Sequence, residues 1–255
     1  MTEHLRADLT GSRFEEVDFS RSRFHNVYFR DTVIRGAWLQ RVEIDGYLDD
    51  VTINGVDVGP LIEAELDRRD PDRMLISPTD AEGFRRAWEV VGRRWDAAVQ
   101  RARAVPEDLL HERVDGEWSF IETLRHLVLA TDAWVLRAVL GDPAPYHPLG
   151  LAHTEMPADT PLVPHDADAR PSLDEILAVR ADRMATVARV LDDLTDERLE
   201  EMTEPVLEPG YPGSESYPVR RCLGTVVHEE WLHREYAERD LAVLERLVAA
   251  PQTAR

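Results

Sequence analysis

The sequence predicts a mainly α-helical chain in two parts, a short solenoid at the front and a four-helix bundle behind it. Three observations carry this. Large apolar residues recur at a strict five-residue step from Leu9 to Ile44, four later segments carry apolar stripes of helical period, and no strand signal falls among those segments. With 255 residues, 43% apolar and 31% charged, the chain can bury one large core or two small ones.

Composition narrows the function classes. Acids outnumber bases 50 to 30, a net charge of −20, so neither a phosphate-neutralising surface for nucleic acid nor attraction to an anionic membrane is expected. Every basic residue is arginine. Without lysine there is no Schiff-base chemistry, no lysine general base and no P-loop. The single cysteine, Cys222, excludes an internal disulfide and a cysteine-rich zinc site. The opening residues Met1 to Arg6 hold no apolar signal stretch, and the run Leu127–Leu140 is broken by Asp132 and Arg137, so a cytoplasmic protein is expected.

The first element is the five-residue repeat: Leu9, Phe14, Phe19, Phe24, Phe29, Ile34, Leu39 and Ile44. Two residues before each stands a small or β-branched side chain: Ala7, Ser12, Val17, Ser22, Val27, Thr32, Ala37 and Val42. Neither a helix nor a strand repeats every five residues. The pattern suits a chain that turns one corner per five residues, with a large side chain filling the centre of each face. The run resembles the pentapeptide-repeat family, which implies a right-handed square β-helix. At about four repeats per coil it closes only about two coils, few for a solenoid that must bury its ends. It is therefore expected to pack against something else, as a folding or docking module. That family also includes long acidic rods that mimic DNA, but this run is too short and residues 1–60 carry only −4.

Beyond Ile44 the pattern frays through Gly46 and Gly59-Pro60. Residues 61–69 read as a helix, and Asp70-Pro71 with Ser77-Pro78 as a linker, which puts the domain boundary near 77. The division is then 1–60 repeat, 61–78 short helix and linker, 79–250 bundle and 251–255 tail. The first long helix follows Thr79 and runs to about Ala104, with Phe84, Ala87, Trp88, Val91, Trp95 and Val99 on one stripe. Ser119 to Glu122 forms a capping box that opens a second, to about Leu140. Ser172 to Glu175 opens the third, to about Leu194, and the fourth runs from near Pro218 to about Ala249. Two connections exceed what a simple bundle needs. Gly141–Pro171 holds seven prolines, and Met202–Pro218 holds four more with Tyr211 and Tyr217. Long loops inside a compact domain are often functional, and a lid over a site is the favoured reading.

The fourth helix carries Leu223, Val226, Ala237, Leu241, Leu244 and Val248 on its apolar stripe, interrupted by Glu230 and His233 with Glu229 beside them. Buried ionisable groups must be paired or bind a metal. Glu229 and His233 are i, i+4 on one face, about 6 Å apart, the spacing a shared cation needs. His228 and His233 lie roughly 140° apart around the axis, so His228 is the weaker ligand candidate. On the second helix, His126 stands among Thr123, Ala130 and Ala133, which leaves room between helices.

Two stretches resemble the DinB-like superfamily of four-helix metal proteins. One is Gly116-Glu117-Trp118-Ser119 with Thr123 to Leu127; the other is His228-Glu229-Glu230-Trp231-Leu232-His233-Arg234 with Tyr236 to Leu241. The resemblance covers about residues 80–248 and implies an antiparallel bundle. The usual triad of that superfamily has a second histidine where this chain has Glu229, but the mycothiol-dependent maleylpyruvate isomerase-like branch uses a His/Glu/His set. The resemblance thus implies His126, Glu229 and His233 as ligands of one divalent ion, zinc first and nickel or another ion as alternatives. Glu230 remains an alternative to Glu229. Three side-chain ligands leave open positions, the arrangement of a catalytic site. The resemblance favours S-transfer from a low-molecular-weight thiol of mycothiol or bacillithiol type to an electrophile, with Arg125 or Arg234 holding the cosubstrate and Glu122 or Glu230 supporting the ligands. A metal-dependent hydrolase and a non-catalytic metal-binding interaction protein are the alternatives, and a homodimer is a further expectation. Cys222 lies two turns before Glu229 and reads as a packed thiol.

Overall fold

The computed structural model describes residues 7–24 and 27–249, so the opening six residues and the expected 251–255 tail lie outside the described residues. The chain divides into two compact units, one ending at Leu48 and one beginning at Asp49.

In the first unit the five-residue step is written into the backbone. Gly11, Glu16, Arg21, Asp31, Gly36 and Arg41 all have φ between 49° and 74°, each two residues after a large apolar residue. The N–H of Ser12 donates to the carbonyl of Leu9 and that of Ser22 to Phe19, both at 3.0 Å. A four-residue turn with positive φ at its third position is a type II corner. Phe14, Phe19, Phe24 and Phe29 meet edge to face in succession, centroids 5.7–5.9 Å apart, so side chains from successive faces converge. Burial does not follow. These four rings stay 47–62% exposed, which corrects the expectation that inward stacking would shield them. In a run of about two coils every ring has a neighbouring coil on one side and an open end on the other.

The second unit begins with a hairpin, β1 (Thr52–Ile53) against β2 (Val56–Asp57). Its turn is Asn54-Gly55, both at positive φ, the preferred pair for a two-residue hairpin. Helix α1 (Gly59–Arg69) has Pro60 in its first turn, where the missing N–H costs nothing. The segment read as a linker is packed: Pro71–Leu75 makes a 3₁₀ turn, and Arg93 and Arg94 reach Asp70 and Asp72 at 2.5–2.8 Å.

The bundle follows. Helix α2 (Ala81–Ala102) is capped by the Asp80 carboxylate, which accepts from the Gly83 N–H, and it buries Phe84, Ala87, Trp88, Val91 and Trp95. Helix α3 (Phe120–Thr131) has both halves of its capping box and continues as a wide π turn, Asp132–Arg137. Helix α4 (Leu173–Asp192) repeats the box with Ser172 and Glu175. A single turn, α5 (Asp196–Leu199), precedes α6 (Val219–Ala249). Packed pairs run α2–α6–α3–α4 and back to α2, a closed ring around one apolar core. Helices α3 and α4 are neighbours in that ring, so a few residues would join them. The long proline-rich connection between them therefore serves something other than connection. Among the described residues no helix is long and apolar enough to cross a membrane.

Candidate metal centre

His126 lies on the buried face of α3, two turns after the capping box that fixes where that helix starts. Glu229 and His233 project from one face of α6, which packs against α3. The facing atoms converge: Glu229 Oε2 is 3.4 Å from His126 Nε2 and 3.0 Å from His233 Nε2, and one donor atom from each residue lies within 4.8 Å of the others. A tetrahedral ion with bonds of about 2.1 Å separates its ligands by about 3.4 Å, so the donor set fits a divalent ion with little rearrangement. The remaining nitrogen of His126, Nδ1, is 3.1 Å from the Leu151 carbonyl. A proton placed on Nδ1 would be held there by that carbonyl and would leave Nε2 to ligate an ion, the orientation a metal-ligating imidazole requires. Burial pushes the Glu229 carboxyl up, but the two histidines outweigh it and hold the group well below the usual carboxylate range. The Trp118 indole covers both imidazoles, 4.6 Å from His126 and 5.7 Å from His233.

On the open side lies a cavity of about 100 Å³ lined by His126 and Glu229, by Leu129, Ala130, Ala133 and Trp134 of the α3 arm, and by His153 and Tyr211. The last two come from the two proline-rich loops. The Tyr146 hydroxyl donates to the Tyr211 carbonyl at 2.7 Å and accepts from the Tyr211 N–H at 2.8 Å, tying one loop to the other. Burial lowers the His153 pKa and raises that of the Tyr211 hydroxyl, so both face the cavity uncharged near neutrality.

The other sequence candidates go elsewhere. Glu230, one residue from Glu229, turns to α4, where its carboxylate takes both Arg180 nitrogens at 2.8 and 3.1 Å. Arg125 is fully buried and donates to the carbonyls of Leu149 and Ala169 at 2.9 Å and to that of Asp166. These donors are taken up by the loop, and the side chain anchors the segment whose Leu151 carbonyl meets His126. Arg234 stacks on Trp231 at 4.2 Å and pairs with Glu238 at 2.5 Å. Glu122 is occupied by the Ser119 N–H and by Arg113. His228 is exposed, as its angular position requires. Cys222 is buried beside Ala138 and Tyr217, and burial pushes its thiol up to about 11. Sequence reading passed over Trp118, Trp134, His153 and Tyr211 as site residues. Tyr211 had a signal in its aromatic, proline-rich loop; His153 had only its place in the other loop.

No curated protein and no solved structure matches the chain. A family model for pentapeptide repeats matches eight copies over residues 6–43. The model of the DinB superfamily, whose members are usually metal-binding, matches residues 91–237, more than half of the chain and all three converging residues. The chain belongs to the DinB superfamily.

Proposed function

We propose that His126, Glu229 and His233 hold one divalent ion, zinc or nickel being the first choices, and that the chain is a metal-dependent S-transferase for a low-molecular-weight thiol. The observation that carries the reading is the convergence of two imidazoles and one carboxylate, two of which, His126 and Glu229, line a cavity. Three ligands leave coordination positions open, and an ion bound there supplies Lewis acidity that lowers the pKa of a thiol or water beside it. The chain's own residues do the rest. Leu151 fixes the His126 tautomer, Trp118 shields the imidazoles, and the apolar walls Leu129, Ala130 and Ala133 keep water away from a bound thiolate. Neutral His153 and the Tyr211 hydroxyl are placed to exchange a proton or hydrogen-bond with an electrophile entering from the open side. Transfer is preferred to hydrolysis because the one carboxylate lining the cavity, Glu229, is committed to the triad, which leaves no second carboxylate there to act as a base toward water.

Metal analysis of the purified protein tests the first half. The wild type and H228A should retain a divalent ion with affinity well tighter than about millimolar, whereas H233A should lose it. Equal metal content in H233A and the wild type defeats the assignment. Thiol consumption over a panel of electrophiles tests the second half, and a metal-loaded protein that hydrolyses esters without consuming thiol defeats the transferase reading.

A further inference from the structure

We propose that Arg221, beside the Trp134 wall of this cavity and outside its lining, is an anion-recognising residue, so that the molecule handled at the triad carries an oxyanion about two helical turns from its reacting atom. The inference rests on the reading of the triad as a thiol-binding metal site. Arg221 stands in the first turn of α6, exposed to solvent. Its guanidinium is 5.8 Å from the centroids of both Trp134 and Tyr217, within the range at which aromatic faces hold a cation. Trp134 is itself a wall of the cavity. The cation is therefore one ring away from the space in front of the triad.

Among the described residues Arg221 forms no ion pair. Its neighbour Arg220 is engaged by the Thr79 carbonyl and by Glu200, and Glu215, close enough to act on Tyr217, makes no ion pair with Arg221. In a chain with 50 acids and 30 bases, most guanidiniums of the bundle find a carboxylate; one left over beside a cavity is available to a ligand. Eight residues separate Arg221 from Glu229, about 12 Å along the helix. Between them Trp134 packs edge to face on Tyr211 at 6.0 Å and on Tyr217 at 5.5 Å, so an aromatic surface runs from the cavity wall to Arg221. An extended molecule with a thiol at the triad and a carboxylate or phosphate at its far end would thus meet apolar and aromatic surface along its length and a forked donor at its end.

The test uses full-length protein loaded with cobalt. Straight-chain thiols of graded length, ending in a carboxylate or in the matching carboxamide, are titrated in and followed by the thiolate-to-cobalt absorption band. At the best length the carboxylate should bind about fivefold more tightly than the carboxamide, the size expected for a partly exposed ion pair, and added salt should erode the difference. R221Q should abolish the preference and R220Q should keep it. Equal binding of the two series, a preference that survives in R221Q, or one lost equally in R220Q overturns the role of Arg221 while the thiol-binding reading stands. If neither series perturbs the band, the thiol-binding reading fails and the inference falls with it.

Discussion

Glu229 and Glu230 are adjacent in sequence, and isosteric replacement should separate their roles completely. Glu230 is 1% exposed and its partner Arg180 is 5% exposed. In E230Q the amide oxygen can still accept one Arg180 N–H, but the second bond and the counter-charge are lost. The guanidinium otherwise has the Trp95 ring at 4.9 Å and the Met184 sulfur at 3.9 Å. A buried charge stripped of its counter-ion costs about 3–5 kcal/mol, which in a domain of this size lowers Tm by roughly 6–20 °C. Metal content should be unchanged, because the Arg180 pair lies on the α4 side and contributes no atom to the triad. E229Q should do the reverse. The amide still accepts one hydrogen bond from a histidine, so stability of the metal-free protein should fall by only about 1 kcal/mol. The anionic ligand is lost, and affinity for zinc should drop by more than the ten- to hundredfold typical of merely supporting residues. Thermal unfolding in chelator, paired with a zinc titration, reads both quantities. If E230Q loses the metal while keeping its Tm, and E229Q melts early while binding zinc, the face assignment of α6 is wrong.

Three further outcomes follow from particular contacts. R125M should free three carbonyls of the 141–172 loop, lower stability by several kcal/mol and weaken metal binding ten- to hundredfold through the loss of the Leu151 contact to His126; unchanged affinity in a folded R125M would remove Leu151 from the argument. G210A should destabilise by about 1–3 kcal/mol, since a Cβ there would stand 2.6 Å from the Tyr146 hydroxyl and 3.0 Å from the Arg137 guanidinium carbon; limited proteolysis should show the 202–218 loop cut sooner. For Glu122, burial raises the carboxyl, but Arg113 and the Ser119 N–H outweigh it and bring it below its ordinary 4.5. A depressed carboxylate stabilises the folded state above that value and loses the contribution as pH falls through the folded pKa, so urea titrations of E122Q should show a shallower acid limb than those of the wild type.

Much of the architecture is legible because its signals are local. Four long helices appear close to where apolar period and capping residues put them, the first of them capped by Asp80 just after Thr79. The Glu229–His233 pair is legible because i, i+4 geometry on α6 depends on nothing outside that helix, whereas His126 joins it through the packing of α3 on α6. Features decided by tertiary packing were hidden. Nothing local separates Glu229 from Glu230; the nearness of Arg180, fifty residues away, does. Arg125 and Arg234 are polar residues that a sequence pattern assigns to ligands, yet the fold turns Arg125 to loop carbonyls and Arg234 to the Trp231 ring and Glu238. Nε and one terminal nitrogen of Arg234 are buried without a hydrogen-bond partner among the described residues. The Asn54-Gly55 hairpin carried a strong local signal that sequence reading missed, because two-residue strands are too short to show alternation. The exposure of the repeat's phenylalanines follows from the number of coils, which the five-residue step does not by itself translate into burial.

The site's outer walls stand on segments with no regular structure, and the chemistry of proline and arginine explains how. A proline contributes a carbonyl acceptor and no N–H donor. Two loops with eleven prolines between them hold more acceptors than their own backbone can satisfy. A guanidinium is the complement, five donors in a rigid fork and no acceptor. Arg137 is 1% exposed, and it donates to Pro212 at 3.1 Å, to Pro143 at 2.9 Å and to Glu208, so one side chain joins the start of the first loop to the second. Arg125 joins Leu149 to Asp166 and Ala169 within the first loop. Among the described residues neither cation has an acid partner; carbonyl dipoles replace the water it gave up. A lysine ammonium has three donors on a more strongly hydrated point charge and could not span these carbonyls at similar cost. Because Arg125 lies on α3 with His126 and Arg137 on the π turn that continues it, the loops are fixed in the frame of that helix. His153 and Tyr211, from different loops, thereby keep their places opposite the triad.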